Sequence, residues 1–204
     1  MRKINKAILF INGSPPKKIP NLINYSMIGC TDGAFNYLNQ YTKFLDFIIG
    51  DFDSLIYKKN CDSCNLLVRD NQNKTDFEKS LEYLLKNNIT KVDVFGATGL
   101  EQDHFLGNIS VAMKFIKKIQ ITFFDSFGYF FFAKKNNYFK VREGANISLI
   151  PIKKVFNINT NGLKYELNNK NLEFGCFIGI RNKAIKKNIH LSFNKGNLLI
   201  FIGK

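Results

Sequence analysis

The sequence predicts two different folds in one chain: an α/β domain over residues 1–126 and an all-β antiparallel sandwich over residues 127–204. Up to residue 126, short apolar runs alternate with helical or turn-rich segments, a pattern typical of a mostly parallel sheet with flanking helices. After Ser126 the helical periodicity stops. Turn signals at Asn161-Gly162 and Asn194-Lys195-Gly196 separate apolar runs there, as in antiparallel hairpins.

Compact apolar runs in the first domain predict six strands, at residues 6–12, 26–31, 47–49, 66–68, 92–95 and 121–124. A weak helical pattern follows Asp32-Gly33. A clearer helix follows Thr75, because Thr75 and Glu78 form a T-x-x-E capping box. Asp103 is placed as the N-cap of the next helix.

The apolar runs of the second domain lie around its turn signals. They cover residues 148–152, 190–193 and 198–202, and the last two flank the second turn as strands. The segment as a whole therefore predicts an antiparallel sheet or sandwich of roughly eighty residues.

Composition narrows the class of protein. The 204-residue chain carries a net charge of +14, which suggests an anionic partner, but its lysines are spread along the whole chain and arginine is scarce. Dedicated nucleic-acid binding is therefore not expected. Cys61-x-x-Cys64 lacks a second ligand pair for zinc, and reduced thiols point to the cytoplasm. No apolar stretch has the length of a membrane span.

Polar side chains follow the predicted strands at the points where the strands end. In an open α/β sheet this is the edge at which ligands bind. Paired carboxylates there repel phosphate unless they hold Mg²⁺, which bridges phosphate oxygens. The pattern predicts Mg²⁺-dependent phosphoryl or pyrophosphoryl transfer. The candidate side chains are Asp32, Asp51, Asp53, Gln72, Thr75, Asp76 and Asp103.

Purely structural interpretations exist for the same acids. Asp51 and Asp53 could form an acidic surface turn. Asp76 lies in the first turn of a helix, where the helix dipole favours a carboxylate. Asp103 could serve only as a helix cap.

Four ordered motifs resemble the thiamine pyrophosphokinase family. They are D-G-A-x-N (32–36), I-I-G-D-F-D-S (48–54), Q-x-x-T-D-F-E-K-S-L (72–81) and G-A-T-G-x-x-x-D-H-x-x-x-N-I (96–109). The similarity continues at residues 148–151, 160–167 and 174–182, which look like the family's C-terminal β domain. It therefore covers nearly the whole chain.

The resemblance implies a reaction in which the hydroxyl of thiamine attacks the β-phosphorus of ATP, giving thiamine diphosphate and AMP. It also implies a homodimer whose active site draws on both subunits. By the same analogy three carboxylates hold Mg²⁺ on the triphosphate: Asp51, Asp53 and Asp76. Gln72 and Thr75 would contact the nucleotide phosphates.

The resemblance further implies that Asp103 orients thiamine, with Asn182 of the β domain near the same pocket. Asp32 belongs to the implied cofactor-binding set.

Two alternatives stay open, the first because of departures from the family pattern and the second because of the net charge of +14. Glu101 replaces an arginine, Arg181 replaces a small hydroxyl residue beside Asn182, and Asn73 replaces an acid. One alternative is a Mg²⁺-dependent pyrophosphotransferase that acts on another alcohol. The other is a nucleotide- or nucleic-acid-binding module without catalysis.

Overall fold

The protein was analysed as a computed structural model that describes residues 5–38, 45–52, 65–68, 71 and 73–204. The chain divides into two compact units, Met1–Ser126 and Phe127–Lys204. Among the described residues, no helix combines the length and the apolar character that crossing a membrane requires.

The first unit contains a six-stranded parallel sheet, and all six predicted strands are confirmed. The strand order is β4-β3-β2-β1-β5-β6, and every pair in it is parallel. Because β1 lies between β2 and β5, the order reverses there, which makes this the expected ligand-binding edge. The strands are β1 (Lys6–Phe10), β2 (Met27–Thr31), β3 (Phe47–Gly50), β4 (Asn65–Val68), β5 (Lys91–Phe95) and β6 (Gln120–Phe124).

Within the described part of the chain, the α-helices that accompany this sheet are α1 (Asp32–Leu38), α2 (Asp76–Lys86) and α3 (Gln102–Phe115). A short 3₁₀ helix covers Leu22–Asn24. Strand β3 is fully buried along its length, as expected for a parallel sheet covered on both faces. Cys30 of β2 is buried in an apolar cluster with α1. Cys61 and Cys64 lie outside the described residues.

The predicted helix starts are partly correct. The Thr75 hydroxyl accepts a hydrogen bond from the Glu78 N–H at 3.2 Å, as the capping box predicts. The carboxylate of Glu78 instead pairs with Lys114 of α3 at 2.9 Å. The prediction that Asp103 caps α3 is wrong, because Glu101 is the N-cap and Asp103 lies inside the first turn.

The second unit is antiparallel throughout. Strand β9 pairs with β10, β11, β12 and β13, while β7 pairs with β13 and β8 with β12. Alternate residues of these strands build one apolar core. The strands are β7 (Gly128–Phe132), β8 (Asn136–Lys140), β9 (Asn146–Asn161), β10 (Lys170–Glu173), β11 (Gly179–Lys183), β12 (Asn188–Ser192) and β13 (Lys195–Gly203).

The predicted hairpin at Asn194-Lys195-Gly196 is wrong. The flanking strands β12 and β13 both pair with β9, along consecutive stretches of it. The segment is an irregularity in one long pairing, where the register shifts after Lys195. Gly196 has φ +111°, and a Cβ there would lie 2.3 Å from the Lys154 carbonyl oxygen. A bulge and a hairpin turn need the same residue types at positive φ, so the sequence pattern alone does not separate them.

Candidate active site

A cavity of about 520 Å³ lies at the carboxyl ends of β1, β2, β3 and β5 in the first unit. Five of the predicted site residues line it: Asp32, Asp51, Thr75, Asp76 and Asp103. The structure therefore brings together side chains from the loop after β3 and from the starts of α1, α2 and α3. Two other predicted residues, Asp53 and Gln72, lie outside the described residues.

One wall of the cavity is made by backbone from two loops. Residues 11–14 follow β1 and residues 96–99 follow β5. The Ser14 N–H donates to the Thr98 carbonyl oxygen at 2.8 Å, and the Ser14 hydroxyl donates to the Gly99 carbonyl oxygen at 2.9 Å. A Cβ on Gly13 would lie 2.2 Å from the Gly96 carbonyl oxygen, so only glycine permits this approach. The close loop contact leaves the space in front of the wall for a ligand.

Asp32 lies at the end of β2 and is only 5% exposed. Its Oδ1 accepts from the Gly33 N–H at 2.6 Å and its Oδ2 from the Phe52 N–H at 3.1 Å. Burial raises the pKa of the Asp32 carboxyl above its ordinary value, and the charges of Asp76 and Asp51 act in the same direction. Three carboxylates thus lie close enough to repel one another.

Asp51 and Asp76 provide the more accessible carboxylates. Asp51 follows β3 and is exposed, whereas Asp76 opens α2. Asp76 Oδ1 lies 2.9 Å from Nζ of Lys79, a lysine side chain that is only 8% exposed. Sequence reasoning missed Lys79. Its spacing of three residues from Asp76 on a helix was the available signal, because such side chains are neighbours.

These residues fit a divalent cation. Mg²⁺ prefers hard oxygen donors, commonly one or two carboxylates completed by water and substrate phosphates. Asp51 and Asp76 offer such donors, and their negative charges add to the effect of burial on the Asp32 carboxyl. A bound cation would relieve that repulsion. The side chains that would hold it are therefore Asp51 and Asp76, together with Asp53 by sequence.

Another wall of the cavity carries Glu101, Asp103 and His104 near the start of α3. Asp103 Oδ1 accepts from the His104 N–H at 2.9 Å, and His104 Nε2 lies 3.5 Å from Glu101 Oε2. One ligand atom from each of the three residues lies within 4.8 Å of the others. All three are exposed, so this wall presents two acidic groups to the cavity.

Thr31 also lines the cavity and went unnoticed in the sequence. It is buried, and its hydroxyl has no hydrogen-bond partner among the described residues. A buried hydroxyl without a partner costs about 1–3 kcal/mol. Its position at the end of β2 gave no distinguishing signal, because a threonine in a strand is ordinary.

Asn182 lies in the second unit and is buried. Its Oδ1 accepts from the N–H groups of Tyr165 at 3.1 Å and Lys183 at 2.8 Å, and its Nδ2 donates to the Tyr165 carbonyl at 2.7 Å. The amide thus holds a loop of its own unit, and its contact with substrate stays a prediction. Neighbouring Arg181 is exposed, with φ +53°, where the pairing of β11 with β9 is irregular.

Comparison with known proteins identifies the family. Residues 20–124 match the family model described as "Thiamin pyrophosphokinase, catalytic domain", and residues 134–198 match "Thiamin pyrophosphokinase, vitamin B1 binding domain". A thiamine pyrophosphokinase of Bacillus subtilis (strain 168) is 28% identical over 211 residues, covering 96% of this chain and 97% of the relative. Thiamin pyrophosphokinase 1 of Caenorhabditis elegans is 25% identical, covering 90% and 83%.

Solved structures of thiamin pyrophosphokinases share the fold of this chain. A crystal structure of thiamine pyrophosphokinase from Bacillus subtilis superposes with a TM-score of 0.84 at 25% identity, covering 97% of this chain and 99% of that one. Thiamin pyrophosphokinase from Candida albicans shares the fold, with a TM-score of 0.82 at 21% identity and coverage of 97% and 88%. The family models together span most of both units, so the chain belongs to the thiamin pyrophosphokinase family.

Proposed function

We propose that this enzyme transfers the pyrophosphoryl group of ATP to the hydroxyl of thiamine within the cavity of the first unit, giving thiamine diphosphate and AMP. The observation that carries the proposal is the group of carboxylates at the strand-order reversal of a chain in this family. Transfer between oxygens asks little covalent chemistry of the protein, so positioning and charge neutralisation are its main tasks.

In the proposal, the first unit binds ATP, the pyrophosphoryl donor. When bound there, Mg²⁺ would supply neutralisation of the negative charge that develops on the phosphate groups. In the proposal Asp51, Asp53 and Asp76 hold this ion, and Gln72 and Thr75 contact the nucleotide phosphates. The N-terminus of α2 at Asp76 favours negative phosphate groups through the helix dipole.

The acceptor end lies at the wall formed by Glu101 and Asp103. Thiamine carries a permanent positive charge, and this wall offers two exposed carboxylates. The chain is basic overall, and residues 1–126 also carry more basic than acidic side chains, so the negative charge relevant to thiamine is that of the cavity wall itself. Local acidity of this kind attracts a cationic acceptor. We assign Asp103 to orienting thiamine, since an ordinary carboxylate is a weak base toward an alcohol.

The remaining parts of the proposal concern organisation. Residues 1–126 form the catalytic ATP- and Mg²⁺-binding domain, and residues 127–204 form a β-sandwich domain that binds thiamine. Two copies associate, with Asn182 near the thiamine pocket. The proposed compartment is the cytoplasm, a reducing environment in which a cysteine such as Cys176 stays a thiol.

The first test is a product assay with Mg–ATP and thiamine that resolves AMP from ADP. We expect AMP and thiamine diphosphate in equal amounts. Asp51→Asn should lower turnover by about 100-fold or more, because losing a metal ligand removes several kcal/mol of charge stabilisation. Glu82→Gln is the matched control. Glu82 is an acid on α2 that pairs with Lys74 and is absent from the cavity lining.

Near-normal turnover by Asp51→Asn would remove the metal role. Binding of ATP without thiamine diphosphate formation would instead favour the alternative in which another alcohol is the acceptor. Glu101 is the residue that motivates this second candidate, because it places a carboxylate where the family pattern has an arginine.

A further inference from the structure

We infer that Asp32 is a positioning residue: it clamps the turn after β3 so that Asp51 presents its carboxylate to the metal–nucleotide complex. The inference rests on the proposed function. It assigns Asp32 a role through another residue, in place of direct contact with metal or nucleotide.

The hydrogen bonds of Asp32 point toward backbone. The carboxylate accepts from the Gly33 N–H at 2.6 Å and from the Phe52 N–H at 3.1 Å, one bond on each oxygen. The side chain is buried, whereas Asp51 is exposed. Asp32 therefore ties the start of α1 to the residue that directly follows Asp51.

The turn that Asp32 holds is conformationally unusual. Phe52 has φ +63°, in the left-handed region that bulky residues rarely adopt. Such a conformation persists only where the surroundings enforce it. The bond from the Phe52 N–H to Asp32 is one enforcing contact, and Phe52 also packs against the apolar cluster around α1. Without the carboxylate we expect the peptide after Asp51 to rotate.

The Asp32 side chain also lies close to Gly50, the residue before Asp51. A Cβ at Gly50 would lie 2.3 Å from Cγ and 2.4 Å from Oδ2 of Asp32. Its φ lies outside the left-handed region, so the obstacle to alanine is the Asp32 side chain and not the backbone. Asp32 thus contacts the residues immediately before and after Asp51.

This geometry makes a reciprocal test possible. Gly50→Ala should displace the Asp32 carboxylate, and with it the turn, without removing the carboxyl group. In an Asp32→Ala background the added methyl group no longer meets Cγ and Oδ2, and the close contact that remains is with Cβ of residue 32 at 2.7 Å. The second substitution should then cost less than it does alone, so the two changes should be non-additive.

The measurement is binding of Mn²⁺, followed by electron paramagnetic resonance, in the presence of the non-cleavable analogue α,β-methylene-ATP. We expect Asp32→Ala and Gly50→Ala each to weaken Mn²⁺ binding by about 10-fold, the scale on which supporting residues affect metal sites. The Asp32→Ala/Gly50→Ala double variant should lose less binding than the two single losses combined. Amide exchange at the Phe52 N–H should be faster in all three.

Two controls separate positioning from other roles. Gly203→Ala tests the glycine-to-alanine change where a Cβ meets only ordinary contacts at 3.4 Å or more, and it should bind Mn²⁺ normally. Asp51→Asn supplies the second background, in which adding Asp32→Ala should cause no further loss. Thermal unfolding of each variant verifies folding. If Asp32→Ala does not fold, Gly50→Ala carries the test alone.

Unchanged Mn²⁺ binding in Asp32→Ala and Gly50→Ala would overturn the inference. Equal losses from Asp32→Ala in the wild-type and Asp51→Asn backgrounds would also overturn it, because they would make Asp32 a direct ligand. Failure of the proposed function has a different signature, since wild-type protein would then bind Mn²⁺ and the analogue but form no thiamine diphosphate.

Discussion

Asp103 illustrates how one carboxylate can serve either a helix or a substrate. Its Oδ1 accepts from the His104 N–H in the first turn of α3, yet the side chain is exposed on the cavity wall. An acid in a first helical turn contributes about 0.3–1 kcal/mol through the helix dipole. That stabilisation is too small to explain a large loss of activity, so the two roles make separable predictions.

Asp103→Ala should raise the KM for thiamine or lower kcat by about 10- to 100-fold, while Mg–ATP binding changes little. The loss comes from poorer orientation of the acceptor hydroxyl. Steady-state kinetics with each substrate varied in turn measure the split. Asp125→Ala serves as the control, because Asp125 is not among the residues that line the cavity. Unchanged kinetics in Asp103→Ala would leave Asp103 with only its helical role.

Several residue roles could not be predicted from the sequence, because they depend on partners brought close by folding. The acid at Asp32 was found from its position after a strand, but its bond to the Phe52 N–H spans 20 residues. Lys79 resembles any surface lysine until its 8% exposure is known. Asn182 was expected near substrate, whereas its amide holds the Tyr165 backbone.

Helix α2 connects local stability with the site, since its first residue is Asp76. The Thr75 hydroxyl accepts from the Glu78 N–H, and removing such a cap costs about 1 kcal/mol. We expect Thr75→Ala to lower the free energy of unfolding by that amount and to raise the KM for ATP. Thr75→Ser keeps the hydroxyl and should restore most of both properties.

Chemical denaturation and ATP-dependent kinetics measure these effects. Ser26→Ala is a suitable control, because that hydroxyl makes only an exposed bond to the Lys6 carbonyl. If Thr75→Ser were as impaired as Thr75→Ala, the methyl group and not the hydroxyl would be the important part of Thr75.

Secondary structure in the first unit was predictable because buried parallel strands form compact apolar runs between turn residues. All six runs became strands, with ends shifted by one or two residues. The wrong predictions occurred where one local sequence pattern fits two different structures. Glu101 and Asp103 are both acids near a helix start, and Asn194–Gly196 resembles a hairpin turn although β12 and β13 both pair with β9. Pairing partners are decided by the whole sheet.

The surface of the second unit suggests an association site for the proposed homodimer. An exposed apolar patch lies on residues 174–180, around the start of β11. Soluble monomers rarely expose contiguous apolar patches of large area. Its members, with their exposed fractions, are Phe174 (65%), Phe177 (52%), Ile178 (37%) and Ile180 (55%).

We predict that Phe174→Ser/Phe177→Ser converts a dimer into a monomer, because the association would lose its aromatic contacts. Light scattering after size-exclusion chromatography measures the mass, and the product assay shows whether activity depends on association. Tyr138→Ser is the control, since Tyr138 is 78% exposed but lies on β8, away from this segment. A dimer that persists in the double variant would exclude the patch as the interface.

Strand β9 also has a consequence for synthesis of the protein on the ribosome. All four of its pairing partners, β10 to β13, follow it in the chain. Translation proceeds at about 5–20 residues per second. Strand β9 is therefore synthesised seconds before residues 195–203, the strand β13 with which it pairs. The strands of the first unit are complete by Phe124 and can pair during that interval. Chains that stall before residue 195 therefore carry a formed parallel sheet in the first unit and a β9 that lacks its β13 partner, and the open edge of β9 is a natural target for chaperones.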